Sequence, residues 1–222
     1  MPSRRFADQS LRSFVDALAS SEPVPGGGSA AAVAAAVAAG LVAMVAALSD
    51  RPRYAEHRSL HERVGGDARK LADRALALAD EDAAAYATFA AALKLPRETE
   101  AESASRQAAL AAAARDAAEV PYRSVQACRE IAVAAEALAG RSNSNASSDL
   151  VVAGLLAEAA ARAAARNVEV NLPSVADTRW AEQTAAETES LVGDTARLAA
   201  IVRDVVARGE ARSPVDLSAA RG

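Results

Sequence analysis

The chain has 222 residues, 51% of them hydrophobic and 24% charged, with a formal net charge of −4. That is enough for one substantial core, read here as a single domain over residues 1–222, and the scattered arginines lack the electrostatic footprint of a nucleic-acid binder. The single cysteine, Cys128, excludes an intrachain disulfide and a redox pair and fits a reducing cytoplasm.

Alanine, leucine, arginine and glutamate dominate, and sustained apolar/polar alternation is almost missing, so the pattern predicts an all-α protein, a bundle of about seven helices. The N-terminus, MPSRRFADQSLRSF, has two arginines but no apolar run behind them, which argues against a signal peptide. A first helix is expected over residues 8–20, with Leu11, Phe14, Val15 and Leu18 as its apolar stripe. Pro23 and Pro25 end it.

Residues 23–50, PVPGGGSAAAVAAAVAAGLVAMVAALSD, are the most informative stretch. Gly26, Gly27 and Gly28 free the backbone for positive φ or close approach, and Ser29 stands where an N-cap would open a helix to Leu48. A helix N-terminus so exposed suits an anion. No Lys-Ser/Thr pair follows, so this is not a P-loop, and no strand precedes it, so it is not a dinucleotide fingerprint. The helix is as long as a membrane span, but its alanine content and missing aromatic and basic flanks point instead to a central helix buried in a core or subunit interface.

Beyond Pro52, a helical pattern runs over 53–93, with Gly65 and Gly66 as a kink or a break. Pro96 interrupts it, and Thr99 with Glu102 has capping-box spacing for a helix to about residue 119. Pro121 fits the first turn of a further helix to Leu138, with Gly140 as its stop. After the polar run at 141–149, with Ser147 or Ser148 as N-cap, a helix is expected to residue 166 and an extended connection over 167–173. The last helix is expected over 177–208, and residues 209–222 as a frayed tail, leaving a core at about 11–200.

Three polar islands interrupt these apolar helices. The first is the glycine loop. The second is Asp82 with Tyr86, on one helix face by their spacing, although Asp80, Glu81 and Asp82 cannot all point one way and a solvated acidic patch is the bland alternative. The third is Asn143, Asn145, Ser148 and Asp149, with Asn167 and Asn171 at the far end of the following helix; turn and capping roles are the alternative there. His57 and His61 have metal-pair spacing, but Arg58, Glu62 and Arg63 around them suggest a solvated face, and no metal is expected. Cys128 reads as inert packing, and no nucleophile motif is present.

In order and spacing, the PVPGGGSAAAVAAAVAAGLVAMVAALS block, Asp82 to Tyr86 with LKLPRETEAE behind, Arg106, the turn at 118–121, SNSNASSD at 142–149 and NVEVNL at 167–172 resemble the cyclodeaminase/cyclohydrolase family. The resemblance spans about residues 11–200. It implies an all-helical homodimer acting on a tetrahydrofolate derivative; composition adds the expectation of a cytoplasmic protein with no membrane or nucleic-acid partner. The implied reaction is hydrolysis of 5,10-methenyltetrahydrofolate to the 10-formyl form, or deamination of 5-formiminotetrahydrofolate to the methenyl form. No formiminotransferase domain stands ahead of these residues, so a formimino substrate is expected to arrive from a separate protein. Asp82 and Asp149 are the candidate catalytic carboxylates, because a methenyl bridge is a cationic amidinium that a carboxylate stabilises while orienting water. Gly26, Gly27, Gly28 and Ser29 would receive either the glutamate tail or the pterin. Arg106 would be a second carboxylate partner, and Tyr86, Asn143, Asn145, Ser148 and Asn171 would complete the substrate contacts. The rival reading is a non-catalytic helical dimerisation or ligand-binding module of the same fold, or a relative acting on another cyclic amidine.

Overall fold

The structure, a computed structural model, describes residues 5–215. Among these, six α-helices form a bundle: Leu11–Leu18 (α1), Gly27–Leu48 (α2), Arg58–Leu93 (α3), Glu100–Leu138 (α4), Ser147–Asn171 (α5) and Thr178–Arg208 (α6). The all-helical expectation holds, with six helices where about seven were expected. Short 3-10 turns at Phe6–Asp8, Pro52–His57, Ser144–Ala146 and Leu172–Ser174 connect or precede them.

α2 is the central helix, packed on α3, α5 and α4. Its buried sides are mostly alanine, with Ala35, Ala38, Ala39, Val42 and Val45 at or near zero exposure against Leu60, Val64, Ile131, Leu138 and Leu150. Methyl-sized side chains let helix axes approach closely, and Gly65 extends that logic: a methyl group there would stand 3.1 Å from Ala46 Cβ. Gly65 is thus a packing residue in an unbroken α3, not a kink. Gly28 lies beside Asp82 and Gly65 beside Ala46, so α3 runs antiparallel to α2. α5 does too, since Asn143, just ahead of it, bonds the Leu48 carbonyl.

Several local expectations are corrected. α1 is shorter than expected and buries only Phe14, edge-on to Phe6, while Leu11 is 76% exposed and Val15 also faces out. Ser29 is not the N-cap of α2; that position is Gly26, three residues earlier, and the helix begins at Gly27. None of the three loop glycines has positive φ, which among the described residues belongs to Gly140 and Gly209. The capping box of Thr99 and Glu102 is present, but the helix it opens runs through Pro121 to Leu138. Neither Ser147 nor Ser148 caps α5; Asn143 caps the 3-10 turn that leads into it. Residues 167–171, expected to be extended, are the last turn of α5.

α6 has nearly the expected span, and its N-cap is Asp177, whose side chain accepts from Trp180 N–H. The start of the expected frayed tail is docked: Arg212 N–H donates to the Gly140 carbonyl, and its guanidinium pairs with Glu136 at 2.7 Å. Residues 216–222 of that tail lie outside the described residues. His57 and His61 are buried, not solvated, and His61 Nε2–H donates to the Arg141 carbonyl at 2.7 Å.

Candidate active site

At the N-terminal end of α2 a cleft of about 350 Å³ opens between helix ends. The glycine loop forms one wall, Asp82, Tyr86 and Phe89 of α3 a second, and Ala117 of α4 with Asn167 and Asn171 of α5 the rest. The first two polar islands therefore meet, joined by the far end of the third.

Asp80, Glu81 and Asp82 do diverge, and each finds a different partner. Asp80 accepts from Phe6 N–H at 2.8 Å, Glu81 pairs with Arg123 at 2.6 Å, and Asp82 turns inward. The Ser29 hydroxyl lies 2.9 Å from Asp82 Oδ2 and 3.1 Å from the Ala79 carbonyl. One hydroxyl proton thus faces two acceptors. Gly26 has no side chain to cap α2, and Asp82 supplies that cap from another helix. The anion suited to this helix terminus is thus the chain's own carboxylate. Its approach explains Gly28, where a methyl group would stand 2.6 Å from Asp82 Cγ. Burial pushes the Asp82 carboxyl above the usual carboxylate range, against the hydrogen bonds from the Ser29 hydroxyl and amide that pull it down.

Asn171 is fixed by an event in α4. Pro121 has no N–H to give to the carbonyl four residues back, that of Ala117. Asn171 Nδ2 donates to this oxygen at 2.8 Å, taking the place of the missing backbone donor. A carbonyl can only accept, so the amide nitrogen must face Ala117 and Oδ1 is the end left for a ligand.

The other predicted site residues lie elsewhere. Arg106 donates to the Leu93 carbonyl at 3.3 Å, at the C-terminus of α3, and does not line the cleft. Asn143 bonds the Leu48 carbonyl and accepts from Asn145 N–H. It sits with Asn145, Ser148 and Asp149 at the opposite end of α2 and α5. Asp149 and Asn167 share one face of α5 about five turns, or roughly 27 Å, apart. Within one subunit Asp149 and Asp82 therefore do not meet. Asn167 was legible as part of the third island; Phe89, Ala117 and Val170 carried no signal that separates a cleft wall from ordinary helix packing.

A multihelical bundle with a half-buried carboxyl at a helix N-terminus, opening on a ligand-sized cleft, is an arrangement suited to acid–base chemistry on a small molecule. Residues 10–190 match the family model described as formiminotransferase-cyclodeaminase. The chain belongs to that family. It is 35% identical over 192 residues to a methenyltetrahydrofolate cyclohydrolase of Methylorubrum extorquens, covering 86% of this chain and 92% of that one. It is 33% identical over 202 residues to the formimidoyltransferase-cyclodeaminase of Rattus norvegicus, covering 90% of this chain but 37% of the rat protein. The crystal structure of a formiminotetrahydrofolate cyclodeaminase from Thermotoga maritima superposes with a TM-score of 0.82 at 26% identity, over 91% of this chain and 98% of that one.

Proposed function

We propose that this protein is a folate one-carbon enzyme that hydrolyses 5,10-methenyltetrahydrofolate to 10-formyltetrahydrofolate. The observation that carries this reading is the half-buried Asp82 carboxyl at the head of α2, facing a cleft of folate-ring size. Similarity to the Methylorubrum cyclohydrolase over nearly its whole length supports the same reaction.

The substrate's methenyl carbon is electrophilic and its charge is spread over two nitrogens. Asp82 lowers the energy of that cation and accepts a proton from the water as its oxygen bonds to the methenyl carbon; it returns that proton to N5 as the C–N5 bond breaks, while the hydroxyl of the adduct releases its own proton to solvent and the resulting formyl group stays on N10. Ser29 serves both protonation states: its hydroxyl donates to the charged carboxylate, and turns to the Ala79 carbonyl while accepting from the neutral acid. Because Asp82 occupies the helix terminus, the glycine loop receives the pterin end rather than the glutamate tail. Asn171 Oδ1 accepts from the ring's N–H groups beside Tyr86, and the tail leaves past Phe89 toward Arg106.

Deamination of 5-formiminotetrahydrofolate is the second reading, favoured by the Thermotoga neighbour. Here N10 attacks the formimino carbon and Asp82, with its raised affinity for a proton, protonates the departing ammonia. A single cysteine fits a cytoplasmic setting, and burial pushes the Cys128 thiol up to about 12, which makes it inert packing. Loss of methenyltetrahydrofolate absorbance, and separately its formation from the formimino compound, tests both readings. Turnover of either substrate is expected; a folded protein inert toward both would leave the non-catalytic module as the better account.

A further inference from the structure

His57 and His61 take no part in the chemistry proposed above, yet both are buried, at 5% and 3% exposure. They stand one helical turn apart where the 3-10 turn at Pro52–His57 runs into α3, with ring centroids 6.1 Å apart. Nδ1 of each ring is shut away from solvent with no hydrogen-bond partner. A protonated His57 carries an N–H on both nitrogens, so the one at Nδ1 becomes a charged, buried donor without an acceptor. His61 Nε2–H is fixed by the Arg141 carbonyl, which can only accept.

The charged groups facing the pair come from several parts of the chain. Glu56 Oε1 lies 3.4 Å from His57 Nε2 and favours its protonation. Asp50, just past α2, is paired with Arg58 at 3.6 Å, and Glu62 and Arg69 of α3 line the cavity beside His61 with opposite charges. Arg141, between α4 and α5, opposes protonation of His57, and Arg212 and Glu136 act in turn on Arg141. Burial outweighs Glu56 and holds the His57 imidazole below the ordinary histidine range, with His61 and Arg141 adding to the effect.

Arg141 ties the two rings to the C-terminal segment. Its carbonyl meets His61, while its guanidinium donates to the Ser213 carbonyl at 2.6 Å and the Ala137 carbonyl at 3.1 Å. The segment grips back through Arg212 N–H, 2.9 Å from the Gly140 carbonyl. Gly140, at φ +73°, permits this crossing, since a methyl group there would stand 2.5 Å from the Glu210 carbonyl oxygen. Two residues beyond Arg141, Asn143 N–H donates to Ser49 Oγ at 2.8 Å. We propose that His57 is the sensor of an acid-operated latch, in which its protonation frees Arg141, the strap at 209–213 and the loop at 139–146, while the helices stay folded. The loop leads directly into Ser148 and Asp149, so the latch governs the position of the third polar island. Because the closed latch disfavours the proton on His57, closure is favoured above the ordinary histidine pKa of about 6.5 and is weakened as pH falls below it.

Amide hydrogen exchange of the intact chain at pH 7.5 and pH 5.0, divided by the intrinsic rate at each pH, tests this. Protection of peptides covering 139–146 and 209–213 is expected to fall about tenfold or more at the lower pH, within the ~30-fold that one imidazole of ordinary pKa can supply over that interval. The interiors of α2 and α4 are expected to stay protected. His57→Leu is expected to hold the latch closed at both pH values, and Arg212→Ala to leave the strap open at both. Equal protection of the wild type at the two pH values, a loss spread over the whole bundle, or the same loss in His57→Leu would overturn the proposal. A second measurement needs no variant to fold: the chain has two histidines, so proton NMR follows both rings in the wild type. A ring titrating together with the loss of protection is expected; both rings titrating with the strap still protected would overturn the latch.

Discussion

At Asp82, burial and hydrogen bonding pull in opposite directions, and burial wins. The carboxyl's affinity for its proton is higher in the folded protein than in the unfolded chain. Its contribution therefore favours folding below the ordinary carboxylate pKa and is lost as pH rises through the raised folded value. Asp82→Asn removes that dependence while keeping the size of the side chain beside Gly28. Its melting temperature at neutral pH is expected to equal or exceed that of wild type, and its gain in stability between about pH 7 and pH 4 to be smaller. Thermal unfolding followed by circular dichroism measures both; a marked loss of stability at neutral pH would mean that the fold needs the charge. Gly28→Ala is expected to behave differently, since its methyl group would displace the carboxylate. A cost of about 1–3 kcal/mol, read from denaturant unfolding, is expected together with loss of turnover.

Among the elements, α4 shows how one residue type misleads and another repairs. Pro121 reads as the start of a helix because proline is well tolerated in a first turn. In the fold it lies inside a 39-residue helix, and the carbonyl it frees is taken by Asn171 from α5. The two residues are thus coupled. Asn171→Ala is expected to cost about 1 kcal/mol with Pro121 in place and almost nothing in a Pro121→Ala background, where the new N–H reaches Ala117 itself. Equal costs in both backgrounds would refute the pairing. The legible features were those decided by local chemistry: the Thr99 and Glu102 capping box, the span of the last helix, Gly140 as the stop after Leu138, and Asp82 with Tyr86 on one face. What stayed hidden depended on partners distant in sequence. The continuity of α4 needed Asn171, the true start of α2 needed Asp82, and the burial of His57 and His61 needed the loop at Arg141.

For the whole molecule, the bundle places its chemistry at helix ends and its close packing in the middle. α2 is, among the described helices, the one long and apolar enough to cross a membrane by length and composition. Its place at the centre of the bundle gives those same residues a different use, with mostly alanine inward beside Val42 and Val45, and Val37, Met44 and Leu48 outward. The Asp82 site lies beside one end of that helix and the cluster of Asn143, Asn145, Ser148 and Asp149 beside the other, so one subunit does not bring together the two carboxylates that the sequence singles out. The account turns on Asp82 as the group that handles the proton. The most direct test is steady-state hydrolysis of 5,10-methenyltetrahydrofolate by wild-type and Asp82→Asn protein, each verified as folded. The account predicts a fall in kcat of about 10²–10⁴ with substrate binding largely kept; a variant turning over at the wild-type rate would contradict it.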